Sequence, residues 1–191
     1  MTPVLRLIVS LRTMIMIGFV SALIISPAHA QRGELSASSG GSDAIARFLM
    51  NFGRFIDWPA NAFPAPDSEL RVCVVGENQL GNSLNQIVNG KKAGDRTMAV
   101  SVLPGGDTAG ARSCHIVFVS ASETAGAAQI TSALQGSSAL TVSEIPDFPN
   151  QGGMITLTGE RGDAVAIRMN RGLIEGAGLN VREQLMRAIQ Q

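Results

Sequence analysis

The chain has no tyrosine and a single tryptophan, Trp58; with seven phenylalanines, its aromatics come to only 4%. A broad aromatic recognition platform is short of material, and the core has to be mainly aliphatic. Cysteine is scarce as well. Cys73 and Cys114 are the only two, and without a Cys-x-x-Cys pair they give little support to a dithiol redox role. The two histidines are His29 and His115, and His29 lies in a stretch read below as removed. His115 sits next to Cys114 on an expected strand, where neighbouring side chains point to opposite faces and do not converge on one metal ion, so it is expected to be a satisfied strand-edge or core residue.

Charge of either sign is not in excess: 15 basic residues face 15 acidic ones. Loss of Arg6 and Arg12 with the first thirty residues leaves 13 against 15, a balance of −2. Nothing in that balance attracts nucleic acid or anionic lipid in general. Catalytic signatures are thin too. Gly76 to Gly81 places glycines between a strand and a helix, yet it lacks Gly-x-Gly-x-x-Gly, and Asn82 stands where a phosphate-binding loop needs lysine. Ser120 and Ser122 have no Gly-x-Ser-x-Gly setting. Glu144, Asp147 and Glu160 lie on loops whose spacing pairs no acid with a base. The expectation is a protein without a cofactor or metal that works by recognition rather than catalysis.

What the sequence does contain begins at the N-terminus. Arg6 and Arg12 precede the apolar run 14–25, and Ser26-Pro27-Ala28-His29-Ala30 closes it with small residues. That order describes a cleavable secretory signal. The alternative is an uncleaved anchor, although the run is short beside the roughly 20 residues a bilayer crossing needs. Residues 31–42 are rich in Ser and Gly and read as a flexible leader before one domain, 43–191.

In that domain, Ile45, Phe48, Leu49, Phe52, Phe55 and Ile56 fall on one face of a helix that Ser42 can cap and Pro59 ends. Four of the chain's eight aromatics lie between Phe48 and Trp58. Trp58 at the helix end is either a boundary packing residue or part of an exposed contact surface. Leu70 to Val75 and Ile116 to Val119 are apolar on both faces, as strands covered above and below must be. Further strands are expected at Thr97–Leu103, Ala139–Ser143, Met154–Thr158 and Ala164–Met169, the last two forming a hairpin. Shorter helices are expected at Ser83–Val88 and Ala125–Leu134, and the chain end after Arg171 reads as helical, with Leu173, Ile174 and Ala177 on one short face and Val181, Leu185, Met186 and Ile189 on another. The fold class is therefore α/β: one three-layer domain with a mostly parallel β-sheet between helices and an antiparallel C-terminal hairpin.

Both cysteines fall on expected strands, 41 positions apart. In an exported chain they are expected to pair if the geometry allows, the alternative being two free buried thiols.

Several stretches together resemble the YfiR family of exported bacterial regulators. They are 48–59 (FLMNFGRFIDWP), 70–76 (LRVCVVG), 114–120 (CHIVFVS), 140–143 (LTVS), 152–155 (GGMI) and 167–170 (IRMN), with Gly90-Lys91, Gly94-Asp95-Arg96 and Ala177-Gly178-Leu179. The likeness runs from about residue 44 to 189. It implies a periplasmic, dimeric protein that binds the periplasmic domain of an inner-membrane diguanylate cyclase and restrains it. Capture of the regulator by an outer-membrane lipoprotein would release the enzyme. Cys73 and Cys114 align with a family disulfide. A second cysteine pair that some relatives carry in the region of Glu144 to Met154 has no counterpart here, which puts redox control through that loop in doubt.

The expected contact surfaces are the Trp58 helix end and the loop carrying Ile145, Asp147 and Phe148, because turn-rich segments on a rigid sheet often bear recognition residues. A periplasmic small-ligand sensor, binding at the carboxyl ends of the strands, is the alternative reading. An uncharacterised hydrolase would need an acid–base constellation that these residues do not assemble. The mature chain is expected to begin at Gln31, and intact mass of exported protein checks this: a mass retaining residues 1–30 would show the anchor instead.

Overall fold

The longest helix, α1 (Ser39–Phe55), starts four residues before the expected Asp43. Its cap is Ser38, whose side chain accepts a hydrogen bond from the Gly41 N–H at 3.0 Å. Ser42, the expected cap, is buried and instead donates its hydroxyl to the Gln79 carbonyl at 3.2 Å. Helix formation thus takes up the last four residues of the stretch read as leader. Ile45, Ala46, Leu49 and Phe52 are buried, while Phe48 and Phe55 are half-buried on the flanks of the same face.

The structure, a computed structural model, describes residues 35, 38–77, 79–159 and 165–189. All of them belong to one compact unit, Arg32–Gln191. The expected signal, residues 1–30, lies outside the described residues, as do most of the leader before Ser38 and the hairpin turn 160–164.

After α1 the chain forms β1 (Ile56–Asp57), β2 (Leu70–Val75), α2 (Gly81–Ile87), β3 (Lys92–Ala93) and β4 (Arg96–Leu103). There follow α3 (Thr108–Ala111), β5 (Ile116–Val119), α4 (Ala127–Ala133), β6 (Leu140–Ser143) and β7 (Ile155–Gly159). The chain closes with β8 (Val165–Met169), α5 (Arg171–Gly176), β9 (Asn180–Val181) and α6 (Glu183–Ile189). Seven strands make one sheet in the order β3-β4-β2-β5-β6-β7-β8. Its five central strands are parallel, and β3 and β8 are antiparallel edges. The expected α/β class, mostly parallel sheet and antiparallel hairpin are all present.

Alternation along β2 divides the interior in two, since successive side chains leave a strand on opposite faces. Leu70, Val72 and Val74 enter a core shared with α1, α2, α5 and α6. Cys73 and Val75 enter a second core with Ala111 of α3, Ala127 and Ile130 of α4, and Phe148. The helices therefore lie on both faces, and the architecture has three layers. Gly53 lets α1 approach β4 closely: a Cβ there would stand 2.6 Å from the Met98 Cε.

Two small features were not expected. β1 pairs antiparallel with β9, as a separate two-stranded sheet. Val181, expected on the last helical face, is consequently in a strand, and α6 begins only at Glu183. β3 pairs with the first residues of β4.

Cys73 and Cys114 form a disulfide with their Cα atoms 6.0 Å apart. Cys114 is not in the strand, as the sequence suggested, but two residues ahead of β5 on the turn after α3. The register explains this: Cys73 faces Val117 across the ladder, so a partner within β5 would be a ladder neighbour, whereas the preceding turn folds back over the second core. Closing a 41-residue separation stabilises by about 4 kcal/mol on the chain-entropy account. Urea unfolding should show a loss of that order on reduction, and in the Cys73→Ala/Cys114→Ala variant without reductant. Equal stability of the oxidised and reduced protein would mean that the bond constrains little.

Candidate functional site

Trp58 is positioned by elements distant in sequence. The helix stops at Phe55, and Ile56 and Asp57 pair with Val181 and Asn180. Arg182 then fastens the junction: its main-chain N–H donates to the Phe55 carbonyl at 2.9 Å, and its Nε and Nη2 donate to Asp57 Oδ1 at 2.9 and 2.5 Å. Asp57 in turn holds the Arg182 guanidinium more firmly in its charged form. Pro59 keeps Trp58 out of the helical region, so the chain leaves extended. The indole is half-buried against the first core, and its Nε1 has no hydrogen-bond partner among the described residues. Arg54, Phe63, Pro66 and Arg96 join Trp58 in lining an open cleft. Aromatic and arginine side chains around a concave surface are the composition of protein recognition sites.

The far wall of this cleft is a stack. Arg96 Cζ lies 3.5 Å from the centroid of the Phe63 ring, whose other partner is His115, ring centroids 4.4 Å apart and 18° from parallel. The Arg96 Nη1 also donates to the carbonyls of Ser68 and Ala65, at 2.7 and 3.3 Å. His115 is 7% exposed and both ring nitrogens are engaged. Nδ1 accepts from the Arg71 N–H at 3.0 Å, which assigns the proton to Nε2, and Nε2 donates to the Ala62 carbonyl at 3.1 Å. The loop between Pro59 and Leu70 is thereby clamped to the amino ends of β2 and β5. The sequence expectation of a satisfied edge or core histidine agrees with this geometry. Burial lowers the His115 pKa; the Arg71 and Arg96 charges act in the same direction, against the Ala62 bond.

The other expected contact residues are placed differently. Ile145 is 2% exposed and Phe148 0% exposed, both inside the second core. They anchor their loop from beneath, so the expectation that their side chains form a contact surface is corrected. Ring packing explains why the loop can be turn-rich and still fixed: a Cβ on Gly153 would fall 2.1 Å from the Phe148 ring, so only glycine lets the chain pass. Asp147 is exposed, its Oδ1 accepting from the Asn150 amide at 2.6 Å, and Pro146 beside it is exposed too. Trp58 and this loop pack against cores on opposite faces of the sheet, so the two expected regions do not form one site.

At the carboxyl ends of β2, β4 and β5, where the strand order reverses and an open α/β sheet usually takes its ligand, side chains of the protein fill the crevice. Ser122 Oγ accepts from the Glu77 N–H and Glu123 Oε2 from the Gly106 N–H, each at 3.0 Å. Gly76, at φ +95°, and Gly105 are packed so closely that a Cβ on either would stand within 2.6 Å of Ser122 or Glu123. The Gly76 turn that the sequence offered as a weak phosphate motif is thus closed over by its own neighbours. Among the described residues, no three His, Cys, Asp or Glu side chains converge to hold a metal ion, and no helix is long and apolar enough to cross a membrane.

A family model described as YfiR/HmsC-like matches residues 42–188 of the chain. No curated protein matches it.

The His115 clamp carries a pH signature. A folded pKa below the unfolded value of about 6.5 means that the unfolded chain binds the extra proton first, so stability falls as pH drops below that value and levels off beneath the folded pKa. Urea unfolding across this interval should show the decline in the wild type. In His115→Gln, whose amide can serve the same two partners, that part of the slope should be missing; an identical slope would place the titration elsewhere.

Proposed function

The chain belongs to the YfiR/HmsC-like family, and from that premise we propose a periplasmic negative regulator that binds an inner-membrane diguanylate cyclase and restrains it. The consequence of binding is less cyclic di-GMP and less biofilm. Family membership over residues 42–188 is the observation that carries this reading. The fold is consistent with it, because a rigid sheet with two covered faces offers surfaces for binding.

The mechanism is differential binding. A regulator that prefers the inactive conformation of the cyclase shifts its population by the ratio of the two affinities, and equal affinity for both states would shift nothing. The Trp58 cleft supplies the contact: a half-buried indole between arginines, at a junction that Arg182 and β9 keep rigid. The exposed Pro146–Asp147 tip supplies a second, separate contact, which suits an outer-membrane lipoprotein that takes the regulator away without competing for the same residues. A small-ligand sensor is less well supported, since Ser122 and Glu123 occupy the crevice where such a ligand would enter.

Binding of purified protein to the periplasmic domain of a diguanylate cyclase encoded by the same organism tests the reading. Trp58→Ala should weaken it by roughly 30-fold, the loss typical of an interface anchor. Arg54→Glu, on an exposed side chain, should slow association with the fold and melting temperature intact. Wild-type affinity in both variants would remove the cleft from the contact, and no binding by the wild type would remove the proposed partner.

A further inference from the structure

The crevice at the carboxyl ends of the strands is filled by the protein's own side chains, but a cavity of about 220 Å³ lies at the opposite, amino ends of β6 and β7. The last turn of α4 walls it on one side and α5 on the other, and Leu134, Met154, Leu173 and Ala177 supply its apolar surface. Leu173 is one of two large apolar side chains exposed among the described residues. Among those residues no charged side chain lines the cavity. An ion would therefore enter without a counter-charge and at the cost of its hydration.

Two features of the walls are not accounted for by the fold. Gly172 and Gly176 lie four apart in α5, on one face of the helix, and both border the cavity. Only proline is a poorer helix residue than glycine, and neither position has a positive φ that would call for it. A Cβ on Gly176 would meet nothing within 4 Å, and one on Gly172 only the Asn170 Oδ1 at 3.7 Å. Nothing presses on these glycines, so the space above them is not a by-product of tight packing. The second feature is a hydroxyl. Thr141 lines the cavity, is 2% exposed, and its Oγ1 accepts from the Met154 N–H at 3.0 Å. A hydroxyl also carries one proton to donate, and among the described residues that proton has no acceptor. Thr131, which lines the cavity too, differs because its hydroxyl donates to the Ala128 and Gln151 carbonyls.

We propose that this cavity binds a small uncharged molecule with an apolar body and one acceptor oxygen, which takes the Thr141 proton. Volume sets the size class. An apolar cavity of about 150 Å³ holds benzene, and drug-sized ligands need about 300–1,000 Å³. A space of about 220 Å³ suits a single ring with a short substituent. The oxygen belongs to a ketone, ester or ether, since a carboxylate would bring an unpaired charge against an uncharged wall. Apolar walls with one converging polar group are the usual composition of such sites. The inference stands apart from the regulator reading: its site shares no residue with the Trp58 cleft, and no cyclase enters its test, so the two can fail separately.

The probes are acetophenone, benzoate and ethylbenzene, single rings of similar size that offer a neutral acceptor, a charge and no acceptor. Methyl NMR of the purified protein follows Met154 beside the cavity, with Met98, buried in the first core, as the internal control. Acetophenone should move the Met154 signal saturably, with a Kd of about 1 mM or below, and leave Met98 in place. Ethylbenzene should bind roughly 5-fold more weakly, the share of one hydrogen bond, and benzoate should cause no saturable shift. Thr141→Val should bring acetophenone to the level of ethylbenzene. Gly176→Leu fills open space in a helix, so it should keep the fold and melting temperature while binding of both neutral rings is lost; this readout does not depend on the threonine variant. No saturable shift with acetophenone, benzoate binding as tightly, equal affinity for acetophenone and ethylbenzene, or undiminished binding in Gly176→Leu would each overturn the proposal.

Discussion

The structure depends on the double coverage of β2. Its backbone is paired on both sides, with β4 and β5, and its side chains alternate between two separate cores. Val72 and Val74 on one face and Val75 on the other are fully buried; burial of each contributes about 1.5–3 kcal/mol relative to exposure. A strand buried on both faces cannot shift by one residue without exchanging its two apolar sets. Register, layer order and the reach of the disulfide all follow from that restriction.

The ends of β2 show how the same strand organises the loops. At its amino end the Arg71 N–H is committed to His115, which fixes a tautomer and holds Ala62 and Phe63 in place. At its carboxyl end Gly76 turns away under Ser122 and Glu123. Both ends are thus occupied by polar contacts within the protein, and the recognition surface is displaced to the helix end beside them. The exposed Arg182–Asp57 pair there contributes little to stability, as surface ion pairs do. Its importance is geometric, because it fixes the direction in which Trp58 leaves the helix.

Continuous or periodic apolar patterns made the large elements legible in the sequence. Leu70–Val75 and Ile116–Val119 had no polar face to hide, and the spacing of Ile45, Leu49 and Phe52 admitted only a helix. The two-residue strands β1, β3 and β9 carry too few positions to show a period, so Val181 read as the start of the last helix. Ser42 read as the cap from its residue type alone; the tertiary bond that its hydroxyl makes to Gln79, and the four further residues of helix that Ser38 caps, are not local signals. The loop with Ile145 and Phe148 misled for a related reason. Its prolines, Asn150 and glycines advertised a surface, and the two apolar residues that hold it down were indistinguishable from exposed ones until Gly153 and the second core were in place. Trp58 was legible as a boundary residue, though nothing local announced that Arg182 and β9 would fix it.

The scarcity of aromatics has a practical consequence at Trp58. With no other indole and no phenol in the chain, intrinsic ultraviolet emission originates almost entirely from this one side chain, half-buried beside the cleft. The molecule thus carries its own label at the place where an encounter is expected. Changes in its colour or quenching would report arrival and departure there in real time, on an unmodified protein.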